Sequence, residues 1–315
     1  MQIMQLTYPL APDLEFPTPV VLAMGFFDGV HQGHQQVIER ARHLAAQRNL
    51  PLAVLTYDHH PALVYQKLTG DAARYLTLKT AKYERFAALG VDYVYEVNYD
   101  YLFQAQTPQE FVDNFIIRMQ AQVVVAGFDH TYGEREAAMD NLTDYAQDRF
   151  TVVTVPATTV DGKKVSSTRI RRNLSAGHIE TVNRLLQRPF QITGTVVHGF
   201  ARGRTLGYPT ANVQYDDLQR MPGLGVYLVK MQINDHWYPA MASIGKNVTF
   251  GDQNPVTLEV HLFDFNQNLY GKQVAVQFLT KTRDEVKYQG PEALVAQLRR
   301  DEQEARKFFK LERNS

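Results

Sequence analysis

The sequence contains no cysteine among its 315 residues, and its charges cancel. Lys and Arg number 33 and Asp and Glu also number 33, so the formal net charge is +0. The missing cysteines exclude disulfides, thiolate nucleophiles and thiolate metal ligands, and they fit a reducing compartment. Without a basic excess, nothing in the charge favours a nucleic acid or an anionic membrane as a partner.

Long apolar runs and an N-terminal targeting signal are also missing. No run approaches the roughly 20 apolar residues that span a membrane. Hydrophobic residues make up 44% of the chain and charged residues 21%, which is typical of a soluble globular protein, and the length suits two domains. We therefore expect a cytoplasmic protein with no membrane partner, and its oligomeric state stays open.

Short apolar strands alternate with helical patterns in the first half of the chain. The predicted strands are 20–24, 52–57, 93–97, 123–126 and 151–155, and the predicted helices between them are 35–49, 80–89, 108–120 and 134–148. This alternation predicts an α/β domain whose parallel sheet is covered on both faces. Ligands of such sheets bind at the carboxyl ends of the strands.

The most informative segment, 25–34, lies at the end of the first of these strands. Its residues His31 and His34 are separated by Gln32 and Gly33, and a helical pattern follows. A helix start offers free N–H groups and the positive end of the helix dipole, which suit phosphate. Gly33 lets the backbone approach a ligand, and the imidazoles can donate to developing charge. The His-x-Gly-His pattern is typical of nucleotidyl transferases and class I aminoacyl-tRNA synthetases, and it predicts a nucleoside triphosphate site.

A second element of the phosphate-binding type is Ser166-Ser167-Thr168-Arg169. Its hydroxyl groups can cap a helix, and the Arg169 guanidinium can fork onto phosphate oxygens. We expect this helix to end near Gly177, and a short helix to follow over 180–187. The domain boundary is placed between residues 186 and 187.

The second half of the chain changes to a period of two. Leu258, Val260 and Leu262 share one face of a predicted strand, and Asn234-Asp235 predicts a hairpin turn. Further strands are predicted at 190–198, 239–243 and 273–281, and one closing helix at 291–309. This pattern predicts a small antiparallel β-barrel with a terminal helix.

A glycine- and arginine-rich segment, 198–212, ends in Pro209-Thr210-Ala211-Asn212. It is typical of a flexible anion-binding loop. Thr210 and Asn212 offer neutral oxygen ligands, which suit Mg²⁺ when phosphates complete its shell. Glu259 can accept a proton from a substrate hydroxyl, which would make a kinase-like site. An ion pair on the barrel face is the alternative role for Glu259.

With both clusters in view, the chain resembles the bacterial bifunctional riboflavin kinase/FAD synthetase (FMN adenylyltransferase) family over nearly its full length. The matching motifs are 25–34, 127–129, 166–171 and 185–190 in the first half, and 198–212, 222–227, 257–260, 268–271 and 283–288 in the second. The resemblance implies a Rossmann-like nucleotidyltransferase domain over 1–186 and a riboflavin kinase barrel over 187–315.

The resemblance also implies the substrates and the residue roles. The second domain would phosphorylate riboflavin with ATP and Mg²⁺ to give FMN, and the first would adenylate FMN with ATP to give FAD and pyrophosphate. Thr210 and Asn212 would bind Mg²⁺ and ATP phosphates, Glu259 would act as base on the ribityl 5′-hydroxyl, and Arg283 would lie by the flavin. His31 and His34 would hold ATP phosphates, and Asp129 would lie where the flavin phosphate and ATP meet. The implied nucleotide-binding residues are Gly25, Phe27, Asp28, Gly33, Ser167, Thr168, Arg169, Gly199, Arg202, Gly203, Arg204, Gly207, Thr210 and Asn212, although Asp28 can equally hold its own loop.

Two departures from the family pattern lie on the adenylylation half. Glu134 and Glu136 stand where the family has basic residues, and Thr56-Tyr57-Asp58-His59-His60-Pro61 stands where the family has Thr-Phe-x-Pro-His-Pro. They motivate an alternative, a riboflavin kinase with a weakened or regulatory flavin-nucleotide-binding N-terminal domain. A third hypothesis is a nucleotidyl transferase for another phosphate ester. A tRNA synthetase is disfavoured because the chain has no Lys-rich second signature.

Overall fold

The computed structural model describes residues 1–132, 138–199, 203, 206–246, 256–286 and 288–310. Glu134, Glu136, Arg202 and Arg204 lie outside these residues. The chain divides into two compact units, Met1–Ser167 and Thr168–Ser315. Within the described ranges, no helix combines the length and the apolar character needed to cross a membrane.

The first unit contains a six-stranded sheet in which every neighbouring pair of strands is parallel. The strand order is β1-β4-β3-β2-β5-β6. Its strands are β1 (Gln2–Leu6), β2 (Val20–Met24), β3 (Leu52–Tyr57), β4 (Tyr93–Val97), β5 (Ala121–Gly127) and β6 (Thr151–Val155). The parallel sheet predicted from the sequence is confirmed, and β1 is an additional edge strand.

The helices of the first unit connect these strands. They are α1 (Gln32–Arg48), α2 (Lys79–Ala88), α3 (Tyr101–Gln104), α4 (Pro108–Phe111) and α5 (Leu142–Ala146). The predicted helix 108–120 begins as α4 and continues as a π-helical segment, Val112–Ile117. Of the predicted helix 134–148, the described part forms only a 3₁₀ turn, Met139–Asn141, and the short α5.

Strand β2 shows why the sheet needs cover on both faces. Val20, Leu22 and Met24 belong to one buried cluster, whereas Val21 and Ala23 belong to another. Alternate side chains of a strand point to opposite faces, so two cores lie on the two sides of the sheet. The uninterrupted apolar run follows directly from this double burial.

The strand order reverses between β2 and β5, which are direct neighbours. In an open parallel sheet such a switch point forms a crevice at the carboxyl ends of the two strands. The turn that carries His31 and His34 follows β2, and Phe128-Asp129 follows Gly127, the last residue of β5. A two-stranded antiparallel hairpin, β7 (Thr159–Val160) and β8 (Lys163–Lys164), comes after β6.

The second unit is built around a closed antiparallel barrel. Helix α6 (Ser167–Ala176), which starts at the last residue of the first unit, and helix α7 (Ile179–Leu186) precede it. The barrel strands are β9 (Phe190–Val197), β10 (Ala211–Tyr215), β11 (Gly225–Ile233), β12 (His236–Lys246), β13 (Val256–Leu262) and β14 (Gln273–Arg283), and α8 (Pro291–Phe309) follows. Their order around the barrel is β10-β13-β12-β11-β14-β9.

The barrel and the terminal helix agree with the sequence pattern. Leu258, Val260 and Leu262 are buried, while the residues between them are half-buried. Asn234 turns the chain between β11 and β12 with φ of 52°. Helix α7 packs with the barrel: the Asn183 side chain donates to the carbonyl oxygen of Phe278 over 2.8 Å. The boundary predicted between residues 186 and 187, which would separate the two catalytic domains, stays a prediction.

Candidate functional site

The loop after β2 adopts an unusual backbone conformation. Phe27 has φ of 58° and Val30 has φ of 39°, values that residues with a Cβ rarely adopt. The Phe27 ring is buried against Gly25, where a Cβ would lie 2.9 Å from a ring atom. Gly25 and Phe27 therefore shape the loop through packing with each other.

His31 and His34 lie together at the start of α1. His31 is the N-cap residue, and its Nδ1 accepts a hydrogen bond from the backbone N–H of His34 over 3.3 Å. The two rings stack with centroids 3.6 Å apart and planes 18° from parallel. Because Nδ1 of His31 accepts, its proton is assigned to Nε2. The structure thus brings the two predicted histidines into contact at the positive end of a helix.

The electrostatics of this turn keep His34 neutral. Burial above all, and then the charges of His31 and Lys82, hold the pKa of His34 well below its usual value of 6.5. Its Nδ1 is buried and has no hydrogen-bond partner in the described part of the chain. An unpaired buried ring nitrogen beside a helix N-terminus is chemically suited to a polar ligand.

Gly33 lies between the two histidines and leaves room for a ligand. A Cβ added there would lie 3.4 Å from the ring of His31 and 3.6 Å from Oγ1 of Thr158. Those distances are close to ordinary van der Waals contacts, so the protein alone would tolerate a small side chain. The glycine therefore fits the predicted need for close backbone approach to a phosphate.

Asp28 holds the loop in place. Its Oδ1 accepts from the backbone N–H of Leu76 over 2.9 Å and of Thr77 over 3.3 Å, and its side chain is buried. Its carbonyl oxygen accepts from the hydroxyl of Ser167 over 2.9 Å. Of the two roles open for Asp28, these contacts favour loop stabilisation over contact with a phosphate. The negative charges of the Asp28 carboxylate and a phosphate would repel each other.

Ser167, Thr168 and Arg169 form the first turn of α6. Ser167 contacts the loop after β2 through Asp28, as described above. Thr168 and Arg169 belong to the second unit, and they follow Ser167 directly along the backbone.

Asp129, at the end of β5, forms an ion pair that the sequence did not predict. Its Oδ2 lies 2.5 Å from Nζ of Lys164 in β8, and the Lys164 ammonium lies 4.6 Å from the centroid of the Phe128 ring. Both charged side chains are largely exposed. The only sequence signal for Lys164 was its place two residues before the Ser166-Ser167-Thr168 segment.

The second candidate site is centred on Thr210, Asn212 and Glu259. The hydroxyl of Thr210 donates to Oε2 of Glu259 over 3.1 Å. Asn212 on β10 is the direct cross-strand partner of Glu259 on β13. Thr210 and Asn212 are two residues apart in an extended segment, so their side chains point to the same side. The structure therefore brings the predicted base and both predicted metal ligands together.

The glycines of the preceding segment allow close packing. A Cβ on Gly199 would lie 2.2 Å from Nδ2 of Asn212, and a Cβ on Gly203 would lie 2.2 Å from the carbonyl oxygen of Tyr208. Gly207 has φ of 81° and open space around it. Gly199 and Gly203 thus serve local packing next to the Thr210 and Asn212 pair.

Two cavities of about 380 Å³ each border Thr210. The first also has Glu259 and Arg283 in its wall, with apolar side chains that include Val226, Met241 and Leu298. The second is lined by residues such as Pro209, Phe265, Asn268 and Tyr270. Thr210 is thus placed between two spaces that can each hold a small molecule.

Arg283 lies in the wall of the first cavity but is already paired. Its Nη2 lies 2.7 Å from Oδ2 of Asp301, a buried carboxylate on α8, and its Nε donates to both Asp301 oxygens over 3.1 Å. This pairing, which outweighs partial burial, raises the pKa of the guanidinium above its ordinary value. Arg283 therefore fixes α8 against the cavity as well as bordering it.

The first unit has a parallel sheet with a histidine-bearing turn at its switch point, and the second has a barrel with a carboxylate in a cavity wall. Together they define a class. It is the class of two-part enzymes that transfer phosphoryl and nucleotidyl groups.

Comparisons with known proteins identify the family within this class. A family model described as FAD synthetase matches residues 13–169, and one described as riboflavin kinase matches residues 186–309. The chain is 43% identical over 310 residues to the bifunctional riboflavin kinase/FMN adenylyltransferase of Listeria monocytogenes, with 98% of both chains covered. Identity to the Bacillus subtilis protein of the same name is 36% over 312 residues, again with 98% of both chains covered. The chain therefore belongs to the bifunctional riboflavin kinase/FMN adenylyltransferase family.

A solved structure supports the fold. A Streptococcus pneumoniae protein described as a macrolide-efflux protein matches with a TM-score of 0.89 and 37% sequence identity. The match covers 96% of this chain and 98% of that one. The fold is thus shared over nearly the whole chain.

Proposed function

We propose that the chain makes FMN from riboflavin and ATP at the Thr210–Glu259 pair, and FAD from FMN and ATP at the His31–His34 turn. The family supports both activities. The observation that carries the assignment of sites is the position of Thr210, which borders two cavities and donates to Glu259 in the wall of the first. Two substrates that exchange a phosphoryl group need such a meeting point.

In the kinase step, riboflavin occupies the cavity with the apolar wall and ATP occupies the other. The ribityl 5′-hydroxyl attacks the γ-phosphorus of ATP, a new O–P bond forms and ADP leaves. Glu259 takes the hydroxyl proton, while the Thr210 hydroxyl orients its carboxylate. Positioning and charge neutralisation supply the rest of the rate, as is usual for phosphoryl transfer.

Thr210 and Asn212 are the proposed ligands for Mg²⁺. Among the described residues there is no group of three or more His, Asp or Glu side chains that could hold a metal ion. Two neutral oxygens beside one carboxylate fit an ion whose remaining ligands are phosphate oxygens and water. Bound there, Mg²⁺ would offset the negative charge of the transferred phosphoryl group.

In the adenylylation step, the phosphate of FMN attacks the α-phosphorus of ATP and pyrophosphate leaves. The N–H groups of His31 and His34 and the start of α1 hold the triphosphate. The Asp129–Lys164 pair lies at the neighbouring strand end. The phosphate-binding role of Thr168 and Arg169 stays a prediction from the sequence. Keeping His34 neutral leaves one ring nitrogen free to donate and one to accept.

A time course with riboflavin, ATP and Mg²⁺, with the flavins separated by chromatography, tests this function. FMN that appears first and FAD that follows would support both steps. FMN that accumulates without FAD, even with added FMN and ATP, would instead support the kinase with a regulatory N-terminal domain. Formation of neither product would overturn the flavin assignment. The functional boundary near residue 186 and a cytoplasmic location stay predictions from the sequence.

A further inference from the structure

Lys82, on α2, is a buried lysine close to the loop that carries the two histidines. Only 5% of its surface is exposed. Lysine is rarely buried to this extent unless its ammonium group is fully hydrogen-bonded or paired. The partners of Lys82 therefore indicate what its burial achieves.

The ammonium group links the loop after β2 to the end of β3. Its Nζ donates to Oγ1 of Thr56 over 3.2 Å, to the carbonyl oxygen of Tyr57 over 3.3 Å and to the carbonyl oxygen of Phe26 over 3.5 Å. The Thr56 hydroxyl in turn donates to the same Phe26 carbonyl over 3.1 Å. Three donors thus meet three acceptors, and Phe26 is held both directly and through Thr56.

The start of α2 also holds the loop from the other side of Phe27. Asp28 accepts from the amides of Leu76 and Thr77, which precede Leu78, the N-cap residue of the helix. Phe27 itself has positive φ, a strained conformation that persists only where its surroundings fix it. Lys82 and Asp28 therefore fix the two residues that flank the strained position.

The charges around Lys82 come from several elements. Burial is the largest influence on its pKa and lowers it, Lys79 lowers it further, and Asp28, Glu96 and Asp58 raise it. The resulting pKa is about 8, so the ammonium form predominates at neutral pH. Its charge also reaches the histidine turn, because it contributes to the lowered pKa of His34.

We propose that Lys82 is a positioning residue for adenylyl transfer, which holds the Phe26 carbonyl and thereby fixes the turn that presents His31 and His34. Lys82 does not touch the reacting atoms in this account. The inference rests on the proposed adenylyl transfer at that turn, and it assigns this step a residue outside the His-x-Gly-His segment.

The first experiment compares Lys82→Met with Lys79→Met. Lys79 lies one turn earlier on α2, and its Nζ lies 2.6 Å from Oε1 of the buried Glu96. Both variants remove one ammonium group from the same helix, but only Lys82 bonds to the Phe26 carbonyl. For Lys82→Met we expect kcat for FAD formation from FMN to fall on the order of 10- to 100-fold, because misplacing the reacting groups lowers the rate by this amount. FMN formation by the same chain and the activity of Lys79→Met should stay near wild type.

A second variant and a spectroscopic readout separate positioning from general stability. Thr56→Val removes the hydroxyl that relays Lys82 to Phe26 with almost no change of volume, so it should lower FAD formation in the same direction. The imidazole NMR signals of His34 should titrate at a higher pH in Lys82→Met, because a repelling positive charge is gone. In Thr56→Val, which keeps the Lys82 charge, a shifted His34 titration reports movement of the turn itself, whereas a role limited to general stability leaves it unmoved.

The outcomes are distinguishable. Reduced FAD formation in Lys82→Met and Thr56→Val, with intact FMN formation and a raised His34 pKa, supports the proposal. If Lys82→Met does not fold, a fall in FAD formation by Thr56→Val supports it, and unchanged FAD formation by Thr56→Val overturns it. If the wild-type chain makes FAD and both variants make it at the wild-type rate, the role proposed for Lys82 is overturned and the proposed function stands. If the wild-type chain makes no FAD, both the proposed function and the role of Lys82 are overturned.

Discussion

The hydroxyl of Thr210 donates to Oε2 of Glu259 over 3.1 Å, at a position that borders two cavities. The bond joins the segment before β10 to the middle of β13, and Asn212 lies directly opposite Glu259 in the same ladder. A rigid barrel thus fixes a carboxylate, a hydroxyl and an amide within one small area. Catalysis by positioning needs this kind of support from regular elements rather than from mobile loops.

Replacing Glu259 with Gln should abolish the kinase step. The amide cannot accept the proton of the ribityl hydroxyl, so we expect FMN formation to fall about 10²- to 10⁴-fold. FAD formation from added FMN should remain, because we assign that step to the His31–His34 turn. The measurement is the initial rate of each product, with Glu304→Gln, an exposed carboxylate on α8, as the control. Loss of both activities together would contradict separate sites.

His31→Ala should have the opposite effect. It removes one donor of the triphosphate site and the ring on which His34 stacks, so FAD formation should fall on the order of 10²-fold. FMN formation should be spared. His43, an exposed histidine on the same helix, provides the matched variant His43→Ala. An equal fall in both products would assign His31 to the scaffold instead.

Gly199→Ala tests the packing of Asn212. The new Cβ would lie 2.2 Å from Nδ2 of Asn212, so the amide or the backbone has to move. Overpacking of this kind costs about 1–3 kcal/mol where the backbone shifts. We expect a higher Mg²⁺ concentration for half-maximal FMN formation, with FAD formation from FMN unchanged. An unaltered Mg²⁺ requirement would separate Asn212 from metal binding.

Acid should destabilise the first unit through His130. Burial lowers the pKa of His130 to about 4, although Asp129 acts to raise it. Below the ordinary pKa of about 6.5 the unfolded chain binds this proton and the folded chain does not, so stability falls as the pH drops from about 6.5 to about 4. The loss over this window is on the order of 2–3 kcal/mol.

Calorimetric unfolding of the full chain at pH 7 and pH 4.5 measures this effect. The His130→Gln variant should lose less stability between the two pH values than wild type. His236→Gln, which removes an exposed imidazole, should behave like wild type. Identical pH dependence in all three chains would show that His130 is not a source of acid sensitivity.

Much of the fold could be predicted because local signals agree with the tertiary structure. The continuous apolar run of β2 reflects burial on both faces. The predicted helix 291–309 has the bounds of α8, because Gly290 and Pro291 mark its start. Strand β1 was missed, since Gln2–Leu6 mixes polar and apolar residues and pairs with β4, which is distant in sequence.

The site residues likewise divide into those that belong to a local sequence motif and those whose contacts are distant in sequence. The His31–His34 turn and the Thr210–Asn212 segment are local motifs, so the sequence pointed to them directly. Lys82 and Lys164 are single lysines whose partners, Phe26 and Asp129, lie 56 and 35 residues away. No spacing rule predicts such contacts, because they depend on which strand ends become neighbours. Arg283 was predicted beside the flavin, but its ion pair with Asp301 on α8 could not be predicted from either position alone.

The most direct test of two independent sites is a mixture of the Glu259→Gln and His31→Ala chains, supplied with riboflavin, ATP and Mg²⁺. We expect that Glu259→Gln alone leaves riboflavin unchanged and that His31→Ala alone stops at FMN. The mixture should make FAD, because each chain supplies the step that the other lacks. A mixture that makes no FAD, although Glu259→Gln converts added FMN, would contradict the account.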